Sequence, residues 1–126
     1  MNDAQFEKLV ADGIDALPER IRKLMHNVAI VIEDKMAPEV RTEYGYAPDD
    51  IIFGLYEGVP QTERGVDYFA LPDKISIFKN PILAAYNDPV DIRECVANTV
   101  WHEVAHHFGF GEEWIEREEG RRGKTL

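Results

Sequence analysis

Three residues between positions 102 and 106 have the types and the spacing to bind a metal ion and to use it. His102 and His106 are four residues apart, which places both imidazoles on one face of an α-helix. Glu103 lies one step round that helix, within reach of a water molecule held by the histidines. In this H-E-x-x-H pattern two histidines bind zinc and the glutamate is a general base. We therefore predict Zn²⁺ as cofactor, His102 and His106 as metal ligands, and Glu103 as the catalytic residue.

A catalytic zinc site needs a third protein ligand and keeps one position open for water. Gly109 allows the chain to leave the helix in a sharp turn. Three residues later, Glu112 stands where a third histidine stands in the H-E-x-x-H-x-x-G-x-x-H pattern. A carboxylate also suits zinc, so we predict Glu112 as the third metal ligand, with Glu113 and Glu116 as alternatives. For His107 we expect a surface position or support of a ligand rather than metal coordination.

A long, buried helix must hold these residues. Asp88 is suited to cap a helix and Pro89 to begin it, so we expect a helix from Pro89 to about Phe108 that ends at Gly109. The stretch 95–101 carries no charge, and a helix that is apolar on nearly all sides is buried. Histidine and glutamate in such a helix are costly unless they are paired or bind a metal, which strengthens the metal prediction.

The rest of the chain alternates helical and extended patterns. We predict these elements in chain order: a helix over 6–17, a further turn after Pro18, a strand over 27–33, a loop over 38–50, strands over 51–56, 67–71 and 75–78, a short helix over 80–86, the long helix, and a short helix over 112–119. The prediction is an α+β fold in a single domain, 1–126, with a frayed tail at 121–126. A small twisted sheet follows the N-terminal helix, and the long helix packs beneath the sheet.

Composition narrows the class of protein. The chain has 24 acidic and 14 basic residues and a formal net charge of −10, which argues against a nucleic-acid partner because phosphate binding depends on lysine and arginine. The one cysteine, Cys95, excludes an internal disulfide, and we expect it to act as a small hydrophobic residue. The first residues lack the pattern of a signal peptide, and no apolar run has the roughly 20 residues that span a bilayer. We expect a cytoplasmic protein without a membrane partner.

The stretch HEVAHHFGFGEEW resembles the bacterial minimal zincin-like metallopeptidase family. Three further stretches fit that family, so the resemblance extends over about residues 25 to 120: LYEGVPQTERG at 55–65, LPDKISIFKNPI at 71–82 and NDPVDIREC at 87–95. The resemblance implies a zincin-like fold with a small mixed sheet, an active-site helix and a C-terminal helix. It also implies a zinc metallopeptidase acting on a peptide or protein substrate. Compared with metzincins, the chain has Glu112 at the third ligand position and no methionine after the motif.

The predicted reaction is hydrolysis of a peptide bond by metal-activated water, with Glu103 as general base. A peptidase also needs a group that stabilises the oxyanion, and Tyr68, Tyr86 and His107 are the candidates. The strand at 75–78 is a candidate edge for binding an extended substrate, and a buried core strand is the alternative.

Two other functions stay open from the sequence. A metal-dependent endoribonuclease would share the histidine-rich helix, but the net charge of −10 and Glu112 count against it. A non-catalytic, metal-stabilised peptide-binding module is the second. The intact Glu103 counts against that module, because a structural zinc needs no base and usually has four protein ligands.

Overall fold

The structure, a computed structural model, describes residues 1–25, 28–58, 73–109 and Arg117. These residues form five helices and three strands, which confirms the α+β class. In chain order they are α1 (Asp3–Asp15), α2 (Glu19–Leu24), β1 (Val28–Glu33), α3 (Pro38–Glu43), β2 (Gly54–Glu57), β3 (Asp73–Phe78), α4 (Lys79–Ala85) and α5 (Pro89–His107). None of these helices is long and apolar enough to cross a membrane.

The three described strands form a mixed sheet in the order β1-β3-β2. β3 is parallel to β1, with Ile75 opposite Ile30, and antiparallel to β2, with Ser76 opposite Leu55. Backbone groups on both sides of β3 therefore take part in ladders. The prediction that 75–78 is an edge for a substrate is wrong, and the alternative, a buried core strand, is confirmed.

The two faces of the sheet are covered by different helices. Ile75 and Ile77 alternate with Ser76 and Phe78 along β3, so they point to opposite faces. Ile75 and Ile77 belong to the main core, which also contains buried residues of α1 and α5. Phe78 instead packs with Met36 in a smaller cluster that Val40 of α3 adjoins. The sheet is consequently a middle layer, with α1 and α5 on the larger side.

The N-terminal helix packs directly on the helix that carries the predicted metal ligands. α1 begins with a capping box, in which Asn2 Oδ1 accepts from Gln5 N and Asn2 N donates to Gln5 Oε1. Gly13 permits close contact between the two helices, since a Cβ at this position would lie 3.3 Å from Ala97 Cα. α1 thus packs closely along α5 and supports it.

The described elements differ from the sequence prediction in two places. The predicted loop over 38–50 begins with α3, because Pro38 stands at the first helical position, where proline is well suited. The strand predicted from 51 starts only at Gly54, opposite Ile77. β3 ends one residue later and gives way to α4, so β3 has no further residues to pair with Ile51 and Ile52. The strand predicted over 67–71 lies outside the described residues, and of the helix predicted over 112–119 only Arg117 is described, as a helical, exposed residue.

Candidate metal centre

Local signals at both ends of α5 determine where it begins and ends. Asp88 precedes the helix, and its Oδ1 accepts a hydrogen bond from Val90 N at 2.7 Å, as an N-cap does. At the other end Gly109 has a φ of 82°, in the left-handed region that favours glycine. Its N–H donates to His106 O at 2.9 Å and closes the last turn. The predicted helix bounds and the turn at Gly109 are confirmed.

His102 and His106 lie on successive turns of α5 and are each partly exposed. Their ring centroids are 5.1 Å apart, and the ring planes are inclined by 59°. Two imidazoles bound to one tetrahedral zinc, with Zn–N distances of about 2 Å, have centroids about 5 Å apart. The spacing of this pair therefore fits two ligands of a single zinc ion.

Glu103 is held where α5 packs against β2. Only 8% of its surface is exposed, although it follows a histidine that is partly exposed. A Cβ on Gly54 of β2 would lie 3.2 Å from Glu103 Cγ and 2.7 Å from Thr99 Cγ2. The absence of a side chain at Gly54 thus lets the strand backbone approach the helix at the stem of Glu103.

The third ligand predicted from the sequence lies outside the described residues, as do its alternatives: Glu112, Glu113 and Glu116. Within residues 1–25, 28–58 and 73–109 and Arg117, no group of three or more His, Cys, Asp or Glu side chains could hold a metal. A zinc site on α5 would therefore take its third protein ligand from elsewhere in the chain. The assignment of Glu112 stays a prediction.

His107 occupies a different environment from its two neighbours in the motif. It is fully buried, with 0% exposure, and its Nδ1 lies 2.9 Å from Asp73 Oδ2. Of the two expectations for His107, the surface position is therefore wrong, and the support of a ligand stays a prediction. Complete burial also counts against His107 as the group that contacts a substrate oxyanion. Of the other two candidates, Tyr86 is half-buried beside Phe53, with ring centroids 6.3 Å apart, and Tyr68 lies outside the described residues.

Cys95 is a core residue of α5. It has no exposed surface, and burial raises the pKa of its thiol to about 11, because a thiolate is poorly solvated in an apolar interior. Such a thiol is protonated at neutral pH and is a weak nucleophile. The prediction that Cys95 acts as a small hydrophobic residue is confirmed.

The sequence prediction did not include Tyr56 and Asp73. Tyr56 OH donates to Asp73 Oδ2 at 2.6 Å, and this same oxygen faces His107. The three residues come from β2, β3 and α5, so no spacing along the chain connects them. The sequence did contain one indication of this site: the alternation along β3 places the Asp73 carboxylate on the same face as the apolar residues Ile75 and Ile77.

Comparison with models of protein families gives a match over most of the chain. A family model described as zincin-like metallopeptidase matches residues 25–121 of this chain, which is well over half of its 126 residues. The matched segment begins after α2 and includes the sheet, α5 and the residues that follow α5. No curated protein matches the chain in sequence.

Proposed function

Because the chain belongs to the zincin-like metallopeptidase family, we propose that it hydrolyses peptide bonds in a peptide or protein substrate with a zinc ion bound at α5. The observation that carries this proposal is the paired arrangement of His102 and His106, with Glu103 adjacent and buried against β2. Family membership supports the metallopeptidase class, and the residue roles are our proposal.

In this proposal His102 and His106 bind the metal through their imidazole nitrogens, and the Glu112 carboxylate provides the third protein ligand. Zinc bound in such a site acts as a Lewis acid toward the scissile carbonyl and lowers the pKa of water. Asp88 and Gly109 define the ends of the helix that presents the two histidines, so the ligand pair is part of a rigid element rather than a loop.

Glu103 is the proposed general base. Its carboxylate accepts a hydrogen bond from the attacking water, removes a proton from it, and then delivers that proton to the nitrogen of the leaving amine. Contact of the Glu103 stem with β2 at Gly54 restricts the rotamers of the side chain. A restricted base needs less reordering to reach the reactive geometry.

The substrate would approach along β2 in this proposal. β2 pairs with β3 on one side, and no described strand pairs with its other side. An extended peptide can add to such a strand by main-chain hydrogen bonds. Gly54, the first residue of β2, lies against Glu103, so a peptide bound there would be near the proposed base.

The metal assignment is tested by the zinc content of protein purified without added metal. We expect one zinc per chain in the wild type and loss of zinc in Glu112→Ala, whereas Glu113→Ala and Glu116→Ala retain it. Absence of stoichiometric metal from the wild type contradicts the proposal. Loss of zinc only in Glu116→Ala contradicts the choice of Glu112 and leaves the zinc site itself supported.

The reaction is tested with Glu103→Gln, and Glu94→Gln serves as the matched control because Glu94 is an exposed glutamate on the same helix. We expect the wild type and Glu94→Gln to cleave a mixture of denatured proteins and to leave RNA intact. Glu103→Gln should retain zinc and lose activity by about 10²–10⁴-fold, the usual contribution of a general base. Metal binding without cleavage by the wild type would indicate a binding module, and cleavage of RNA a nuclease.

A further inference from the structure

A buried carboxylate connects the C-terminal end of α5 to both neighbouring strands. Asp73, the first residue of β3, is 1% exposed. Its Oδ2 accepts a hydrogen bond from Tyr56 OH of β2 at 2.6 Å and lies 2.9 Å from Nδ1 of His107 in the last turn of α5. One oxygen atom thus joins three elements of the fold.

The surroundings of Asp73 are closely packed. A Cβ on Gly58 would overlap Asp73 Oδ1, so the backbone after β2 passes directly beside the second carboxylate oxygen. The rings of Tyr56 and His107 contact each other edge to face, with centroids 6.0 Å apart, and His107 makes a similar contact with Phe108 at 5.1 Å. A carboxylate is costly to bury unless it is paired or hydrogen-bonded. These contacts hold it in one place.

His107 directly follows the proposed ligand His106, and Gly109 begins the path toward the proposed ligand Glu112. The contact with Asp73 therefore acts on the turn that determines both the position of one ligand and the direction of the chain toward another. We propose that Asp73 is a positioning residue for the zinc site: through His107 it holds the last turn of α5 in register with β2 and β3, and Tyr56 holds Asp73. This inference rests on the proposed function.

The strict geometry of a zinc site makes this role measurable. Ligand distances must agree with the ideal values to within about 0.2 Å, so a small displacement of the last turn weakens binding even where the fold persists. Residues that orient metal ligands typically change metal affinity by about 10–100-fold when they are altered. We expect an effect of this size at Asp73, because its contact with His107 bears on the residue that directly follows the proposed ligand His106.

The test compares three variants of the full chain. Asp73→Ala removes the oxygen that accepts from Tyr56 and faces His107. Asp73→Asn keeps the shape of the side chain and one acceptor oxygen. Val96→Ala is the control for loss of stability alone. Val96 is fully buried in the same helix but lies eleven residues before His107, about 16 Å along the axis at about 1.5 Å per residue. Zinc affinity is measured by competition with a chelator, and the ligand field by the absorption spectrum of the Co²⁺-substituted protein.

We expect Asp73→Ala to bind zinc about 10–100-fold more weakly and to change the Co²⁺ spectrum. Asp73→Asn should restore most of the affinity, and Val96→Ala should leave both affinity and spectrum unchanged. If Asp73→Ala binds zinc no more weakly than Val96→Ala, the proposal is overturned, because loss of stability would then explain the whole effect.

Hydrogen exchange of the metal-free chain provides a readout that does not depend on zinc. Backbone amides of residues 104–109 should exchange faster in Asp73→Ala than in the wild type, and those in Val96→Ala should show no selective change there. Unchanged exchange in Asp73→Ala overturns the positioning role. A wild-type chain that takes up no zinc overturns the proposed function instead, and exchange then still decides whether Asp73 anchors the last turn.

Discussion

Replacement of Gly54 by alanine tests the contact between β2 and α5 beside Glu103. The backbone of Gly54 is not in the left-handed region that only glycine adopts readily, so alanine fits the local conformation. In general such a change stabilises a protein by about 0.4–1 kcal/mol, because it reduces the freedom of the unfolded chain. Any loss of stability in Gly54→Ala must therefore come from the contacts of the added methyl group.

Those contacts are too short to be accommodated without movement. The added Cβ would lie 2.7 Å from Thr99 Cγ2, 3.1 Å from Ser76 O and 3.2 Å from Glu103 Cγ. Overpacking of this kind costs about 1–3 kcal/mol. After subtraction of the gain in the unfolded state, we expect Gly54→Ala to lower the free energy of unfolding by about 1–2 kcal/mol.

Thr99→Ser provides the matching change on the helix. It removes Cγ2 and retains Oγ1, which donates to Cys95 O at 2.7 Å. Thr99→Ser alone should lower the free energy of unfolding by about 1 kcal/mol, because a buried methyl group is lost. In combination with Gly54→Ala it should cost less than the sum, with a coupling of about 1 kcal/mol. Urea unfolding in the presence of a chelator measures all four members of the cycle.

Gly45→Ala is the control glycine. Gly45 has a φ of +76°, and a Cβ added there would meet no atom within 4 Å beyond its chain neighbours. Alanine at this position should therefore lower the free energy of unfolding by about 1–2 kcal/mol from the backbone alone, and this loss should add independently to that of Thr99→Ser. Gly54→Ala should also reduce peptidase turnover, and Thr99→Ser should not restore it, because the contact with Glu103 remains. A neutral or stabilising Gly54→Ala, or strict additivity with Thr99→Ser, would refute the close approach.

Three further predictions concern the metal, the thiol and the helix cap. Zinc at 100 times its dissociation constant should raise the free energy of unfolding by about 2.7 kcal/mol over the chelated chain, and an unchanged urea midpoint would contradict a native-state site. Cys95 should react with a thiol reagent at pH 8 only on unfolding. The pKa of Cys95 is about 11 in the folded chain, against an ordinary value of 9.0, so the free energy of unfolding should fall as the pH rises from 9 to 11. Cys95→Ala should remove this part of the pH dependence. Asp88→Ala should lower the free energy of unfolding in urea by about 1 kcal/mol. Asparagine also caps helices, so an equal loss in Asp88→Asn would argue against the cap.

The bounds of α5 could be predicted because their causes are local. Asp88 caps the helix within two residues, and Gly109 ends it with its own backbone conformation. The relation of His102, Glu103 and His106 is likewise a property of one helical turn. Pro38 carried a similar local signal for the start of α3, which the prediction of a loop overlooked.

The position of β3 depends on contacts that no local pattern contains. An apolar alternation such as Ile75-Ser76-Ile77 is compatible with an edge strand and with a central one. Its central place follows from pairing with Val28–Glu33, about 45 positions earlier in the chain, as in the pair Val28 and Asp73. The link between Tyr56, Asp73 and His107 is missed for the same reason, since it forms only when β2, β3 and α5 come together.

The order of the strands also constrains how the chain acquires its sheet. β1 and β2 are synthesised first, yet each pairs with β3 and not with the other. Neither has its described partner until residue 78 is available. During synthesis β1 and β2 therefore emerge before their ladders with β3 can form. Unpaired strands favour association between chains. We expect release of the finished β3 to be the event that commits a nascent chain to its fold, and chains truncated before β3 to aggregate.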